Sequence, residues 1–137
     1  MNTERFLKLF LRVVGFMAAL AAFCVLMPYA WMDAVHRLAG MGGLPNYPIV
    51  GYLARSTSAF YALFGILYLI LSFDLSRYRP LVRFMGGATF ILGVTLFVVD
   101  RVEGMPLFWR LGEGPIDMTI GAVILLLSRS SRDGQAR

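Results

Sequence analysis

The sequence predicts an all-α integral membrane protein, namely a four-helix up-down-up-down bundle with a short interfacial helix in its first outer loop. Composition is the first reason, since 58% of the 137 residues are hydrophobic and only 15% are charged. A soluble domain has roughly 45–50% and about 25%. The second reason is four long stretches without Asp, Glu, Lys or Arg, and the third is a concentration of basic residues in alternate connecting segments.

The uncharged stretches place the spans. They cover residues 13–32, 56–73, 84–99 and 118–128. A helix needs about 20 residues to cross the hydrocarbon layer, and flanking arginines can extend a shorter stretch by reaching the interface. We therefore predict transmembrane helices at about 9–31, 53–73, 81–99 and 115–129, within a single membrane domain of residues 1–137. The first stretch is too long for a signal-peptide core, which favours an uncleaved span. The polar tail, 130–137, is predicted to be disordered.

Basic residues set the predicted orientation. Nine of the 13 lie in the N-terminal segment, the second loop and the C-terminal tail: Arg5, Lys8, Arg12, Arg77, Arg79, Arg83, Arg129, Arg132 and Arg137. The first and third loops contain four. The positive-inside rule then predicts that both termini and the second loop are cytoplasmic in a multi-pass protein of the inner (plasma) membrane. Because this asymmetry accounts for the net charge of +5, the charge does not indicate nucleic-acid binding.

The first outer loop begins with a helical pattern. Trp31, Val35 and Leu38 share one face, while Asp33 and Arg37 on another face form an acid-to-base pair four residues apart. Gly40, Gly42 and Gly43 follow and are expected to end the helix. The pattern predicts a short surface helix followed by a loop that folds back over the bundle.

Small residues recur at helical spacing within the spans. They allow two backbones to approach closely and so predict helix-packing faces. The residues are Ala18, Ala22, Ser58, Ala62, Gly65, Gly86 and Gly93. Packing within the bundle is the simpler interpretation, and contact with another subunit is the alternative.

Polar residues near the outer ends of the helices form the candidate ligand site: Asp33, His36, Arg37, Arg55, Asp100, Arg101, Glu113 and Asp117. Such a cluster could bind an ion, a polar substrate or a quinone headgroup. Alternatively, these side chains pair with one another and with lipid headgroups. Asp117 is the most deeply embedded acid, which makes it a functional candidate with an arginine (Arg55, Arg101 or Arg110) as its expected partner. Alternatively, Asp117 lies in the first turn of a helix, where the helix dipole favours a negative charge, and its role is structural.

The sequence gives little support for a metal site, a disulfide or a catalytic motif. His36 is the only histidine and Cys24 the only cysteine, so neither a metal site nor a disulfide is predicted. We found no phosphate-binding loop, nucleophile elbow, HExxH or CxxC, and we predict no catalytic residues and no cofactor other than a bound lipid or quinone.

A family resemblance follows from three segments. They are PIVGYLARSTSAFYALFGILYLILSFDLSRYRPLVRF, GMPLFW and GEGP, at residues 48–84, 104–109 and 112–115. Together they resemble small bacterial four-helix membrane proteins, and the length and span count are similar to the DoxX-like group. The resemblance implies a bacterial membrane protein and transfers no functional residue.

Three functions remain open from the sequence. The leading hypothesis is a non-catalytic accessory or interaction subunit, or an assembly factor, that binds a membrane-protein partner or a second copy of itself. The first alternative is a redox-type protein that binds quinone or lipid beneath the outer loops, through Arg55, His36 and Asp117. The second is a small transporter or channel, which would require an oligomer.

Overall fold

A computed structural model describes residues 3–130 and shows six helices joined by short segments. These are α1 (Thr3–Ala19), α2 (Ala22–Val25), α3 (Tyr29–Leu38), α4 (Pro48–Phe73), α5 (Leu75–Val102) and α6 (Leu107–Ser130). The described part of the chain contains no β-strand, so the all-α prediction is confirmed. The predicted disordered tail, 130–137, lies outside the described residues except for Ser130, where α6 ends.

Four segments are long and apolar enough to cross a membrane. They are Thr3–Val25, Pro48–Phe73, Leu75–Val102 and Leu107–Arg129. Their number agrees with the prediction, and their composition is that of a multi-pass membrane protein. Each is longer than the corresponding uncharged stretch, because the helices continue past the charged residues that flank it.

The first span is interrupted. Residues 20–21 separate α1 from α2, and the local backbone hydrogen bonds connect residues three apart, as in Ala21 to Ala18 and Cys24 to Ala21. Such bonds belong to the tighter 3₁₀ geometry. The span then ends at Val25, before Pro28, whereas the sequence predicted a continuous helix to residue 31.

Helix α5 begins earlier than predicted because Asp74 caps it. The Asp74 carboxylate accepts a hydrogen bond from the Arg77 amide at 3.1 Å and another from the Ser76 hydroxyl at 2.6 Å. Both bonds hold the pKa of Asp74 below its usual value, with the Ser76 bond the larger cause. This N-cap provides acceptors for the free donors of the first turn. Pro80, expected near the helix start, instead lies inside the helix.

Helix α6 begins at Leu107, eight residues before the predicted start. The Pro106 carbonyl accepts bonds from the amides of Trp109 and Arg110, which starts the first turn. Pro115 lies inside the helix and removes one backbone donor there. The helix continues through this position, so Pro115 marks no boundary in α6.

The chain divides into two compact units, with the divisions falling inside α1 and α4. The larger unit contains residues 3–14 and 68–130 of the described chain, including all of α5 and α6. Buried apolar side chains come from every helical segment in it: Leu7, Leu11, Leu71, Leu75, Val82, Met85 and Ile124. Arg83 contacts Ser128, and Gly93 contacts Met118. Residue numbers therefore decrease along α6 in the direction in which they increase along α5. The two helices therefore run antiparallel.

The smaller unit contains residues 15–67. A side chain added at Gly65 would place its Cβ 2.3 Å from the Ala19 nitrogen and 2.6 Å from the Gly15 carbonyl oxygen. The backbones of α1 and α4 are thus in direct contact at this point. Ala62, one turn earlier in α4, is also buried.

Candidate functional site

The outer loop segment, which we define as residues 29–47, is held in place by Asp33. One carboxylate oxygen accepts a hydrogen bond from Arg37 Nε at 2.9 Å, and the other accepts from the Leu44 amide at 2.7 Å. The first contact confirms the predicted pair. The second joins α3 to a residue eleven positions later, and so folds the loop back onto the helix.

The electrostatics of Asp33 follow from these contacts. The bond from the Leu44 amide is the main cause that holds the pKa of Asp33 below its usual value, and the bond from Arg37 adds to it. The carboxylate is therefore ionised at neutral pH and remains an acceptor for both donors.

Two further side chains hold the same loop. His36 donates from Nδ1 to the Gly42 carbonyl at 2.9 Å, and the Tyr29 hydroxyl donates to the Leu44 carbonyl at 2.7 Å. Loss of hydration, with the Asp33 charge as a smaller cause, raises the pKa of Tyr29. Gly40 and Gly42 have φ of 75° and 80°, a conformation in which other residues are strained, so they form the reversal that brings the loop back. His36 therefore stabilises the loop through this hydrogen bond. Residues 3–130 contain no group of three His, Cys, Asp or Glu side chains that could hold a metal ion.

The opposite face of α3 is apolar and open. Trp31, Val35 and Leu38 are 57%, 57% and 88% exposed. Phe23 lies 6.5 Å from the Trp31 ring, centroid to centroid, and widens the apolar area. The segment thus uses its polar side chains to fix its own shape and presents its apolar side chains outward.

Arg55 lies apart from this cluster on α4. It donates to the Met27 carbonyl at 3.2 Å and is exposed. That carbonyl is beyond the end of α2, so the contact supplies a donor to a group that has no helical partner. Among the predicted packing residues of this unit, Ala18 lies against Gly65, and the Ser58 hydroxyl bonds to the Ala54 carbonyl of its own helix. Ala22 lies in the short α2.

In the larger unit, α5 and α6 meet along what we call the glycine seam: Gly86 and Gly93 on α5, and Gly114 and Gly121 on α6. A Cβ added at Gly93 would lie 2.5 Å from the Met118 nitrogen, and one at Gly121 would lie 2.5 Å from the Phe90 nitrogen. A Cβ at Gly86 would meet the Ile124 side chain at 2.8 Å. Gly86 and Gly93 were predicted as packing residues from the sequence, whereas Gly114 and Gly121 on α6 were not.

The remaining predicted site residues lie at the end of this unit where α5 ends and α6 begins. Asp100 is 4% exposed, and no residue from 3 to 130 donates a hydrogen bond to its Oδ2. Arg101 stacks over its neighbour Phe97 at 4.4 Å from the ring centroid, and Glu113 accepts from the Trp109 indole at 2.6 Å. Asp100, a member of the predicted outer polar cluster, is thus buried near the end of α5.

Asp117 is half-buried in α6. Of its three expected partners, Arg101 and Arg110 lie in the same unit, and neither forms an ion pair with it. The charge that acts on it is Glu113, one turn earlier on the same helix. Two acids one turn apart on one helical face repel each other.

A groove of about 580 Å³ runs along α5. It is lined by Arg83, Phe84, Gly87, Ala88, Ile91, Leu92 and Thr95. Gly87 forms its floor, and a Cβ added there would meet nothing within 4 Å. Arg83, at one end, donates from Nη2 to the Ser128 carbonyl at 3.0 Å. The sequence analysis missed this groove, although the small neighbours Gly87 and Ala88 were a signal for it.

Compared with known proteins, the chain matches no family model, no curated protein sequence and no solved structure.

Proposed function

We propose that the protein is a non-catalytic accessory subunit or assembly factor of a membrane complex, and that the open face of α3 contacts its partner. The observation that supports this most directly is the outer loop segment itself. Its apolar side chains Trp31, Val35 and Leu38 are exposed on a backbone that internal hydrogen bonds already hold in place. The inner membrane with cytoplasmic termini is the proposed location, because basic residues concentrate in alternate segments.

Preorganisation is the physical argument. Binding is weakened by the entropy lost when a flexible loop becomes ordered, and a loop that is already ordered avoids that loss. Asp33 fixes the return of the loop, while Tyr29 and His36 fasten it. An aromatic side chain such as Trp31 at the centre of an apolar face is also typical of interface residues that dominate affinity.

The partner is a membrane protein with an apolar surface at the same membrane boundary. The segment lies between two membrane-spanning helices, so α3 is held close to the interface, where a soluble partner would meet lipid headgroups first. The polar side chains of α3 are occupied within the loop, which leaves apolar contact as the main attraction.

The test is purification of the tagged protein from its native membrane in mild detergent, with mass spectrometry of all co-migrating proteins. We expect a stoichiometric partner with the wild type, and its loss in the double variant Trp31→Ala/Leu38→Asn. Phe60→Ala is the matched control, because Phe60 is 63% exposed on α4 but lies outside the outer loop segment. A monomer without partner in native nanodiscs, or a partner that the double variant retains, would overturn the proposal.

A further inference from the structure

The α5 groove combines an apolar trough with one cationic end. Phe84, Ile91 and Leu92 supply apolar walls, Gly87 leaves the floor open, and Arg83 provides the only charged side chain in the lining. Its volume of about 580 Å³ lies within the roughly 300–1,000 Å³ of small-molecule sites. From this geometry we infer that the groove is a binding site for one anionic phospholipid, with an acyl chain along α5 and the phosphate on Arg83.

Arg83 is suited to hold a phosphate. Its guanidinium carries five N–H donors, and one nitrogen is fixed on the Ser128 carbonyl. No carboxylate among residues 3–130 pairs with this arginine. The side chain is thus oriented but retains an uncompensated charge, and phosphate oxygens match the planar donor geometry of arginine.

The length of the groove fits an acyl chain. From Arg83 to Thr95 is twelve helical positions, or about 18 Å at 1.5 Å per residue. One leaflet contributes half of the roughly 30 Å hydrocarbon core. The groove therefore covers one leaflet, with Arg83 at the end nearest the second loop. That end is predicted to be cytoplasmic, and anionic lipids are concentrated in the cytoplasmic leaflet.

Charge argues against a second copy of this chain as the occupant. Two copies inserted in the same orientation and paired along this face would place their Arg83 side chains at the same depth. The like charges would repel at low dielectric. An anionic headgroup instead neutralises Arg83, and a flexible acyl chain fills an open trough without requiring a complementary helix surface.

The test compares phosphatidylglycerol with phosphatidylcholine. The full chain in mild detergent is exchanged against each lipid, and retained lipid is counted by native mass spectrometry. We expect one tightly held phosphatidylglycerol, with roughly fivefold preference over phosphatidylcholine, the size of one basic contact. Arg83→Gln should abolish the preference and Arg83→Lys should restore most of it. Arg77→Gln is the matched control, since Arg77 lies near the same end of α5 and is exposed, with its guanidinium over the Tyr78 ring.

Gly87→Leu provides a second test that does not depend on charge. The new side chain would occupy the groove floor, where a Cβ meets no other atom within 4 Å, so the fold is unaffected while the trough is filled. We expect loss of the retained phosphatidylglycerol at unchanged helical content. Equal retention of both lipids by the wild type would overturn the inference. Undiminished retention of phosphatidylglycerol by Arg83→Gln or Gly87→Leu would also overturn it. A co-purifying protein that is lost only in Gly87→Leu would do the same, because a protein would then occupy the groove.

Discussion

The glycine seam and the outer loop segment are held together by opposite means. Along the seam, Gly93 and Gly121 let backbone atoms of α5 and α6 come within van der Waals contact. In the outer loop segment, α3 has no buried residue, and Asp33, Tyr29 and His36 hold the chain by hydrogen bonds. Close packing suits a region that must remain fixed. Hydrogen bonds can fix the shape of a region while its apolar face stays exposed.

Substitution in the seam should have the largest effect. In Gly93→Leu, the new Cβ would lie 2.5 Å from the Met118 nitrogen, which is backbone and cannot rotate away. The helices must separate, and overpacking of this kind costs typically 1–3 kcal/mol and sometimes more. We expect the free energy of unfolding, measured by denaturant titration in detergent micelles, to fall by at least that amount.

Gly87→Leu is the control for this prediction because it changes the same residue type in the same helix at an open position. Its unfolding free energy should stay within about 0.5 kcal/mol of the wild type, as for an ordinary surface substitution. Equal losses in the two variants would show that helix composition, and not the seam, determines stability.

Removal of the Asp33 carboxylate should have a smaller and more local effect. Asp33→Ala leaves the Leu44 amide and Arg37 without their acceptor. We expect hydrogen exchange at the Leu44 amide to accelerate by on the order of tenfold, with little change in α5 and α6. Asp33→Asn retains an oxygen that can accept from the Leu44 amide. Its exchange rate at Leu44 should lie between those of the wild type and Asp33→Ala. Slow exchange at Leu44 in Asp33→Ala would mean that the loop is fixed by other contacts.

Acid should reproduce part of this effect. The folded-state pKa of Asp33 lies below its unfolded value of 3.8. The stabilisation that the ionised Asp33 gives the folded loop is therefore complete above the unfolded pKa. It is lost as pH falls through the lower, folded pKa. Exchange at Leu44, corrected for the intrinsic pH dependence, should rise only below about pH 4. Asp33→Asn should remove this pH dependence. Asp74, whose pKa is also lowered, should affect the Arg77 amide instead.

Much of the helical architecture could be predicted from hydropathy, since long apolar stretches have few alternatives to helix in a membrane. The α3 helix and its end at the following glycines could also be predicted. The amphipathic pattern indicates the helix, and the glycines indicate where it ends. Helix starts were less accurate. The last two spans were predicted to start at about residues 81 and 115, next to or at a proline. The helices instead begin at Leu75 and Leu107, after Asp74 and Pro106.

The candidate site was harder to predict, because it depends on which side chains meet in space. The charges of Asp33 and Arg37 pair within one helix, which spacing reveals. Burial of Asp100 and the missing arginine partner of Asp117 depend on how α5 faces α6, which a polar-residue count cannot supply. One signal was present but unused. Gly86 and Gly93 are seven residues apart, and so are Gly114 and Gly121 on the next helix.

The glycine seam also has a consequence for how the chain is assembled. Only residues 103–106 separate α5 from α6, so the contacts between them close a very short loop. Short loops cost little entropy to close, and structures rich in local contacts form quickly. The two helices can therefore pair as soon as both have emerged during synthesis. Residues 75–130 can then pair as one hairpin without first requiring contacts from segments more distant in the chain.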